Sequence, residues 1–184
     1  MPADPSPPDS TDLGDALRKS EARYRFLAET IPVQVWTARP DGLLDYVSSR
    51  AVNEFGIPLE RLLKEGWQNV VHPDDLPGAV ERWLRSLATG ETYEVEFRLK
   101  MADGTSAWYL ARAVAQRGAD GSIVEWLGTN TNIAEQREER RRIQALLDEV
   151  AAQSRETQAT LATLRSERAT LEARVKQLEA KHAG

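Results

Sequence analysis

The sequence contains no cysteine, and this absence excludes several kinds of chemistry at once. Without thiols, the chain cannot form disulfides, thiolate metal sites, a cysteine nucleophile or a flavin–cysteinyl adduct. Long apolar runs are also absent, because no stretch approaches the ~18 residues of a transmembrane helix. The first ten residues lack the basic and then apolar pattern of a secretory signal. We therefore expect a cytoplasmic protein without membrane insertion.

Basic residues are also fewer than acidic residues. The chain carries 24 Lys and Arg against 29 Asp and Glu, which gives a formal net charge of −5. A general nucleic-acid-binding surface normally requires a surplus of basic side chains. We therefore expect no nucleic-acid partner.

Residues suited to catalysis or metal binding are scarce, since the sequence has only 2 histidines. His72 is a haem-ligand candidate, but the alternative of a helix-start residue with local hydrogen bonds is the more typical one. His182 lacks the acidic residue and Leu-Arg-Thr-Pro that follow a kinase phosphoacceptor histidine. A Gly-rich ATP lid, a GGDEF segment and a phosphate loop are all missing. The sequence predicts no enzyme activity, no catalytic residue, no metal site and no bound cofactor.

The residues that remain are unevenly distributed. All 5 Trp, 4 Tyr, 3 Phe and 9 Pro lie before Ile133. This predicts a disordered arm over residues 1–12, an N-terminal helix over 13–31, a folded domain over 32–132 and a coiled coil over 133–182. The apolar stripe of the N-terminal helix either covers its own domain or forms a dimer contact.

The folded domain combines short strands, turns and helices. The run YEVEFRLK, residues 93–100, alternates apolar and charged side chains, as a half-buried antiparallel strand does. Asp-Gly pairs at 41–42, 103–104 and 120–121 predict turns between strands. The order of two strands, several short helices and a three-stranded meander predicts an α+β fold with a five-stranded antiparallel sheet.

The segment that begins HPDD, at residues 72–75, predicts the best-defined helix of the domain. Asp74 and Asp75 suit the N-terminal cap and dipole of that helix. The i, i+3, i+4, i+7 spacing predicts a buried helix face made of Val80, Trp83, Leu84 and Leu87.

The segment after Ile133 shows a seven-residue apolar repeat, which indicates a left-handed coiled coil. We predict a parallel homodimer whose seam consists of Ile143, Leu147, Val150, Leu161, Leu164, Leu171, Val175 and Leu178. Polar residues at the other seam positions favour register or partner choice at some cost in stability.

The segments WQNVVHPDDLPGAVERW and YEVEFRLKMADGTSAWYLARAVAQRGADGSIVEWLGTNTNI resemble a bacterial PAS domain. More narrowly, they resemble the subclass with an HPDD helix and an E-x-E-[FY]-R strand, as in sensor histidine kinases. The resemblance covers roughly residues 21–135. It implies a five-stranded antiparallel sheet with helices over one face, in a domain that senses ligands, binds cofactors or dimerises.

The resemblance also implies a cavity between the sheet and the helices. The candidates for its wall are aromatic residues of the predicted strands, namely Trp36, Tyr46, Phe97, Trp108 and Trp126. Such a cavity would hold a flat cofactor or an apolar ligand, or it would be filled by side chains. The sequence shows no signature for FAD, FMN or haem.

The end of the last predicted strand resembles the Asp-Ile-Thr motif through which PAS sensors join the sheet to a signalling helix. The residues at this signal junction are Asn132 and Ile133, followed by Glu135, which completes a capping-box pattern with Asn132. Asn132 is neutral where the family has Asp, so the usual ion pair to an Arg cannot form. We expect weaker coupling between domain and helix as a result.

Two functions are consistent with these features. The first is a non-enzymatic sensory and dimerisation module of bacterial signal transduction, which passes a signal from the sheet to the coiled coil and on to a kinase or another signalling protein. The second is a ligand-free scaffold that recruits a partner protein through the sheet or the coiled coil.

Overall fold

The computed structural model describes the backbone of residues 10–182 and the side chains of residues 14–179. Residues 1–9 of the expected arm lie outside the described residues, and residues 10–12 belong to the first helix. The elements in chain order are α1 (Ser10–Thr30), β1 (Gln34–Ala38), β2 (Leu44–Val47), α2 (Ser49–Phe55), α3 (Leu59–Glu65), a 3₁₀ helix (Trp67–Val70), α4 (Leu76–Thr89), β3 (Tyr93–Lys100), β4 (Ser106–Arg117), β5 (Ile123–Asn132) and α5 (Ala134–His182).

The five strands form one antiparallel sheet with the spatial order β2-β1-β5-β4-β3. The last strand in sequence therefore lies at the centre, between the first strand and the meander. This confirms the predicted α+β fold, in which helices pack on one face of the sheet. The chain separates near residue 134 into two compact units, and α5 from Glu135 onward is a unit of its own.

The core lies between the inner face of the sheet and the helices α2, α3 and α4. Alternate residues of β3 and β4 are buried in this core, such as Phe97 and its partner Tyr109. The helix α4 contributes Ala79, Trp83 and Ser86, which are all buried. The predicted face was partly wrong, because Leu84 is 59% exposed. The buried stripe combines Trp83 with the small residues Ala79 and Ser86, which let the helix approach the sheet closely.

The HPDD motif closes the open edge of β3. The backbone N–H of His72 donates to the carbonyl of Arg98 at 2.8 Å, and Val71 pairs with Leu99. Asp75 Oδ2 accepts from both the backbone N–H and Nε of Arg98 at 2.8 Å, and Oδ1 accepts from Nη2 at 2.8 Å. Edge strands need such cover, because their free N–H and C=O groups otherwise pair with other chains.

Asp75 therefore does not cap α4 in the way that the sequence suggested. It occupies the N-cap position, but its side chain makes no capping hydrogen bond. The carboxylate instead binds the guanidinium of Arg98, since a bidentate ion pair is stronger than a bond to one neutral N–H. Arg98 also lies over the Trp108 ring, 5.5 Å from its centroid.

We predict that Asp75→Asn lowers the free energy of unfolding by about 1 to 3 kcal/mol at neutral pH. The hydrogen bonds from Arg98 lower the pKa of Asp75 below its ordinary value. The ion pair is therefore fully formed above the unfolded pKa of about 4, and its contribution disappears as pH falls through the lower folded pKa. Denaturant unfolding followed by Trp fluorescence checks this, since every Trp lies in the sheet domain.

The neighbouring variant Asp74→Asn is the control for this prediction. Asp74 is 70% exposed and makes one 3.1 Å contact with Arg98, so its loss should change stability much less. Equal losses in the two variants, or a loss at Asp75 that stays constant well below pH 4, would contradict the proposed role of Asp75.

Candidate ligand cavity and helix junction

A cavity of about 50 Å³ lies inside the sheet domain. It lies between the inner face of the sheet on one side and the helices on the other. The sheet contributes Trp36, Leu44, Val47, Tyr93, Phe97, Leu99, Ala111 and Asn130 to its wall. The helices and the segment before α4 contribute Ala51, Phe55, Leu62, Trp67, Val70, Val71 and Trp83.

The wall of the cavity carries no charged side chain. Two of its polar side chains are engaged within the protein: Trp36 Nε1 donates to Asn130 Oδ1 at 3.1 Å, and the Tyr93 hydroxyl donates to the Ala79 carbonyl at 3.4 Å. Burial raises the pKa of Tyr93, so its phenol stays neutral. The cavity therefore suits an uncharged, mainly apolar ligand.

Trp83 of α4 connects three strands at one end of this cavity. Its ring meets Trp36 of β1, Tyr93 of β3 and Trp126 of β5 edge to face, at centroid distances of 5.7, 5.1 and 5.1 Å. Edge-to-face pairs are favoured by the ring quadrupoles. This cluster fixes the distance between α4 and the sheet, and with it the depth of the cavity.

The structure places Trp36 and Phe97, two of the aromatic residues expected at the cavity, in its wall. Trp126 lies on the same face of the sheet and is fully buried against Trp83. It fills the core beside the cavity and does not belong to the lining. Among described side chains, its Nε1 has no hydrogen-bond partner.

The expectation for Tyr46 and Trp108 is corrected by the strand register. Tyr46 pairs with Thr37, the neighbour of Trp36, and successive residues of a strand point to opposite faces. Its hydroxyl donates to Glu29 of α1 at 2.9 Å, and burial raises its pKa to about 12. Trp108 pairs with Arg98 on the outer face of β4. Both residues therefore lie away from the cavity.

Sequence reasoning missed Asn130, Trp67 and the small residues of the wall. Asn130 sits in a polar stretch of β5 that gave no sign of facing the core. Its position follows from Gly128, two residues earlier on the same face, which leaves room for the Trp36 ring. A glycine inside a strand often marks such a close approach, and this was the available signal.

The junction between the sheet and α5 is tight. Ile133 is 4% exposed, and its backbone N–H donates to the Trp108 carbonyl at 2.9 Å. Asn132 Oδ1 accepts from the backbone N–H of Ala134, the first residue of α5, at 2.9 Å. Glu135 lies in the first turn of α5, where its charge suits the helix dipole. One buried residue thus separates the last strand from the helix.

The helix α5 carries an apolar stripe along its length. All eight residues expected in the coiled-coil seam are between 46% and 64% exposed in the single chain, namely Ile143, Leu147, Val150, Leu161, Leu164, Leu171, Val175 and Leu178. This amount of apolar surface along one helix is typical of an interaction face.

We predict that Gly128→Ala destabilises the sheet domain by about 1 to 3 kcal/mol, because overpacking a core displaces rigid neighbours. A Cβ at this position would lie 2.3 Å from two atoms of the Trp36 ring, so the ring must move. The displaced ring should also change the hydrogen bond between Trp36 and Asn130. Denaturant unfolding and the NMR resonance of the Trp36 indole N–H measure the two effects.

Gly78→Ala provides the matched control. Gly78 lies in α4, and a Cβ there meets no atom within 4 Å. Alanine should leave stability unchanged or raise it slightly, since it favours the helix over glycine by roughly 1 kcal/mol. A Gly128→Ala variant as stable as the Gly78→Ala variant would show that Trp36 does not depend on this space.

Comparison with known proteins gives relatives that are much longer than this chain. It is 41% identical over 122 residues to the protein y4lL of Sinorhizobium fredii, a match that covers 66% of this chain and 15% of y4lL. It is 31% identical over 121 residues to the peroxide stress-activated histidine kinase mak1 of Schizosaccharomyces pombe, which covers 65% of this chain and 7% of mak1. Each relative is therefore matched over a small part of its length.

Among solved structures, an RNA-binding light-oxygen-voltage receptor superposes with a TM-score of 0.60 at 16% identity, over 80% of this chain and 41% of that chain. This likeness concerns the fold alone. None of the helices described between residues 10 and 182 is long and apolar enough to cross a membrane. The family model for the PAS fold matches residues 44–130. This match, together with the order of the strands, identifies residues 44–130 of this chain as a region of the PAS fold.

Proposed function

We propose that this chain is a non-enzymatic sensory and dimerisation module of bacterial signal transduction. The observation that carries the proposal is the position of the cavity. It is walled in part by β5, the central strand, and the same strand runs through Ile133 directly into α5. A change in the cavity therefore acts on the strand that leads out of the domain.

The size of the cavity limits the ligand. An engineered protein cavity of roughly 150 Å³ holds benzene, whereas the volume here is about 50 Å³. A ligand of only a few non-hydrogen atoms fits without rearrangement. Flavin and haem would require the core to open. We therefore propose a small uncharged molecule as the ligand.

The relatives support a signalling role in general terms. The name of mak1 describes a histidine kinase activated by peroxide stress, and this chain matches a small part of it. We propose that the partner of this module is a kinase or another signalling protein that receives the signal through α5. The Asn132 side chain, which replaces the family's Asp at the junction, supplies a neutral hydrogen bond in place of an ion pair.

Dimerisation is proposed to occur through the stripe on α5. The regular seven-residue spacing of its aliphatic side chains supports a coiled coil of two parallel copies. Such a dimer would bury the exposed leucines that a single helix leaves in water. A stiff helix that begins one residue after the sheet would transmit a shift of register better than a flexible linker.

A ligand-free scaffold is the second candidate, and the small volume of the cavity favours it. In that case the aromatic side chains fill the core for stability, and a partner protein binds the sheet or the coiled coil. The two candidates differ in whether a small molecule remains in the purified domain.

We predict that native mass spectrometry finds a dimer that retains a small neutral molecule. In Ala111→Val, added methyl groups occupy the cavity, so the extra mass should disappear while the domain stays folded. Ala113→Val is the control, because Ala113 lies on the same strand and the same face but outside the cavity wall. It should keep the ligand, although overpacking at this buried site should lower stability by about 1 to 3 kcal/mol. A wild-type dimer without extra mass would favour the scaffold.

We predict that Leu164→Glu combined with Leu171→Glu gives a monomer with a folded PAS domain. Charges at seam positions replace apolar contacts by repulsion between the helices. Analytical ultracentrifugation measures the mass, and Trp fluorescence reports the fold of the domain. Ala162→Glu with Ala169→Glu adds the same charges at the same spacing one position away from the seam, and should remain dimeric. If the seam variant also stays dimeric, the dimer forms through α1 or the sheet instead.

A further inference from the structure

A series of polar side chains leads away from the cavity wall into the protein. Trp36 Nε1 donates to Asn130 Oδ1 at 3.1 Å, and Asn130 Nδ2 donates to Gln34 Oε1 at 2.9 Å. Gln34 Nε2 then donates to Glu54 Oε2 of α2 at 2.7 Å. Gln34 is 1% exposed, so its amide has no competing water. This cavity arm connects two residues of the wall to a carboxylate outside it.

A second series leads from the same carboxylate to the start of α5. The Tyr109 hydroxyl donates to Glu54 Oε2 at 2.7 Å. Asn132 lies directly opposite Tyr109 in the ladder between β4 and β5. Asn132 Oδ1 accepts from the backbone N–H of Ala134 at 2.9 Å. This junction arm ends on the first backbone N–H of the helix.

The charge state of Tyr109 agrees with this arrangement. Burial, together with the hydrogen bond and the negative charge of Glu54, raises the pKa of Tyr109 well above its ordinary value. The phenol therefore keeps the proton that it donates. A hydrogen bond with Asn132 acts in the opposite direction on this pKa, as a donating amide does.

In both arms, the groups at the two ends determine which group donates and which accepts in every hydrogen bond between them. The Trp36 indole and the Ala134 backbone N–H only donate, and the Glu54 carboxylate only accepts. The amides of Asn130, Gln34 and Asn132 can satisfy all their neighbours in one orientation only. Both arms consequently donate toward a single oxygen of Glu54. If one amide turns over, two donors or two acceptors face each other, and the mismatch passes along the arm.

We propose that Glu54 is a positioning residue that couples the cavity to the start of α5 through these two arms. A molecule that accepts a hydrogen bond from Trp36, or donates one to Asn130, would break the bond between these two residues. The hydrogen bond from Gln34 to Glu54 Oε2 would then change, and with it the bond that the Tyr109 hydroxyl makes to the same oxygen. Tyr109 and Asn132 would carry this change to the N–H of Ala134. The purpose of the coupling rests on the proposed sensory function, but the coupling itself requires no ligand, so the ligand-free protein is sufficient to test it.

The experiment uses the full chain and NMR reporters at the two ends, namely the indole N–H of Trp36 and the backbone N–H of Ala134. In Tyr109→Phe, the hydroxyl between Glu54 and Asn132 is removed. We expect hydrogen exchange at Ala134 to become about three to ten times faster, as the loss of a hydrogen bond predicts. The Trp36 indole resonance should shift as well, although Tyr109 is not bonded to Trp36.

Glu54→Gln provides a second variant that preserves the size of the side chain. It keeps one carbonyl oxygen as an acceptor but removes the negative charge, so the hydrogen bonds from both arms should weaken and both reporters should again respond. Tyr46→Phe is the matched control, because it removes a tyrosine hydroxyl that donates to a carboxylate elsewhere in the domain, that of Glu29. Neither reporter should change in this variant.

A response at Ala134 without one at Trp36, or at Trp36 without one at Ala134, would overturn the coupling. An equal response in Tyr46→Phe would do the same, since the effect would then be general. The result is independent of the ligand test. If the domain retains a ligand but the two reporters respond independently, the sensory function is supported and the coupling through Glu54 is wrong. If the domain retains no ligand but the two reporters respond together, the coupling is supported and the sensory function is not.

Discussion

The packing of Trp83 against three strands is the contact on which the rest of the domain depends. A single α4 side chain touches aromatic rings from β1, β3 and β5, so it holds the helix at one distance from the whole sheet. Two of those rings, Trp36 and Tyr93, also form part of the cavity wall. The cavity is therefore the space that this aromatic packing leaves unfilled.

The second constraint is the direct continuation of β5 into α5. Ile133 is buried and bonded through its backbone to Trp108, while Asn132 accepts from the first N–H of the helix. The helix start is thus held by contacts that belong to the sheet domain. Since β5 is the central strand, its end shares neighbours with both β4 and β1.

Local sequence patterns predicted the elements well and the contacts less well. The alternation in residues 93–100 and the Asp-Gly turns gave the strands, and the resulting five-stranded α+β fold is confirmed. The HPDD motif gave the helix, but Asp75 binds Arg98 and Leu84 faces water. These errors share one cause. The spacing of apolar residues and the type of a capping residue are local features, and they do not reveal which residues of a distant strand a side chain will contact.

The sequence by itself determined the types of element, the absence of cysteine chemistry and the heptad pattern of α5, because each depends on residues within a few turns of one another. Only the tertiary structure decided which side chains meet. Strand order and register placed Gln34 beside Asn130, 96 residues away, and turned Tyr46 and Trp108 out of the core. The reason is that a shift of one residue in strand pairing exchanges the two faces of a strand, and local sequence does not record that choice.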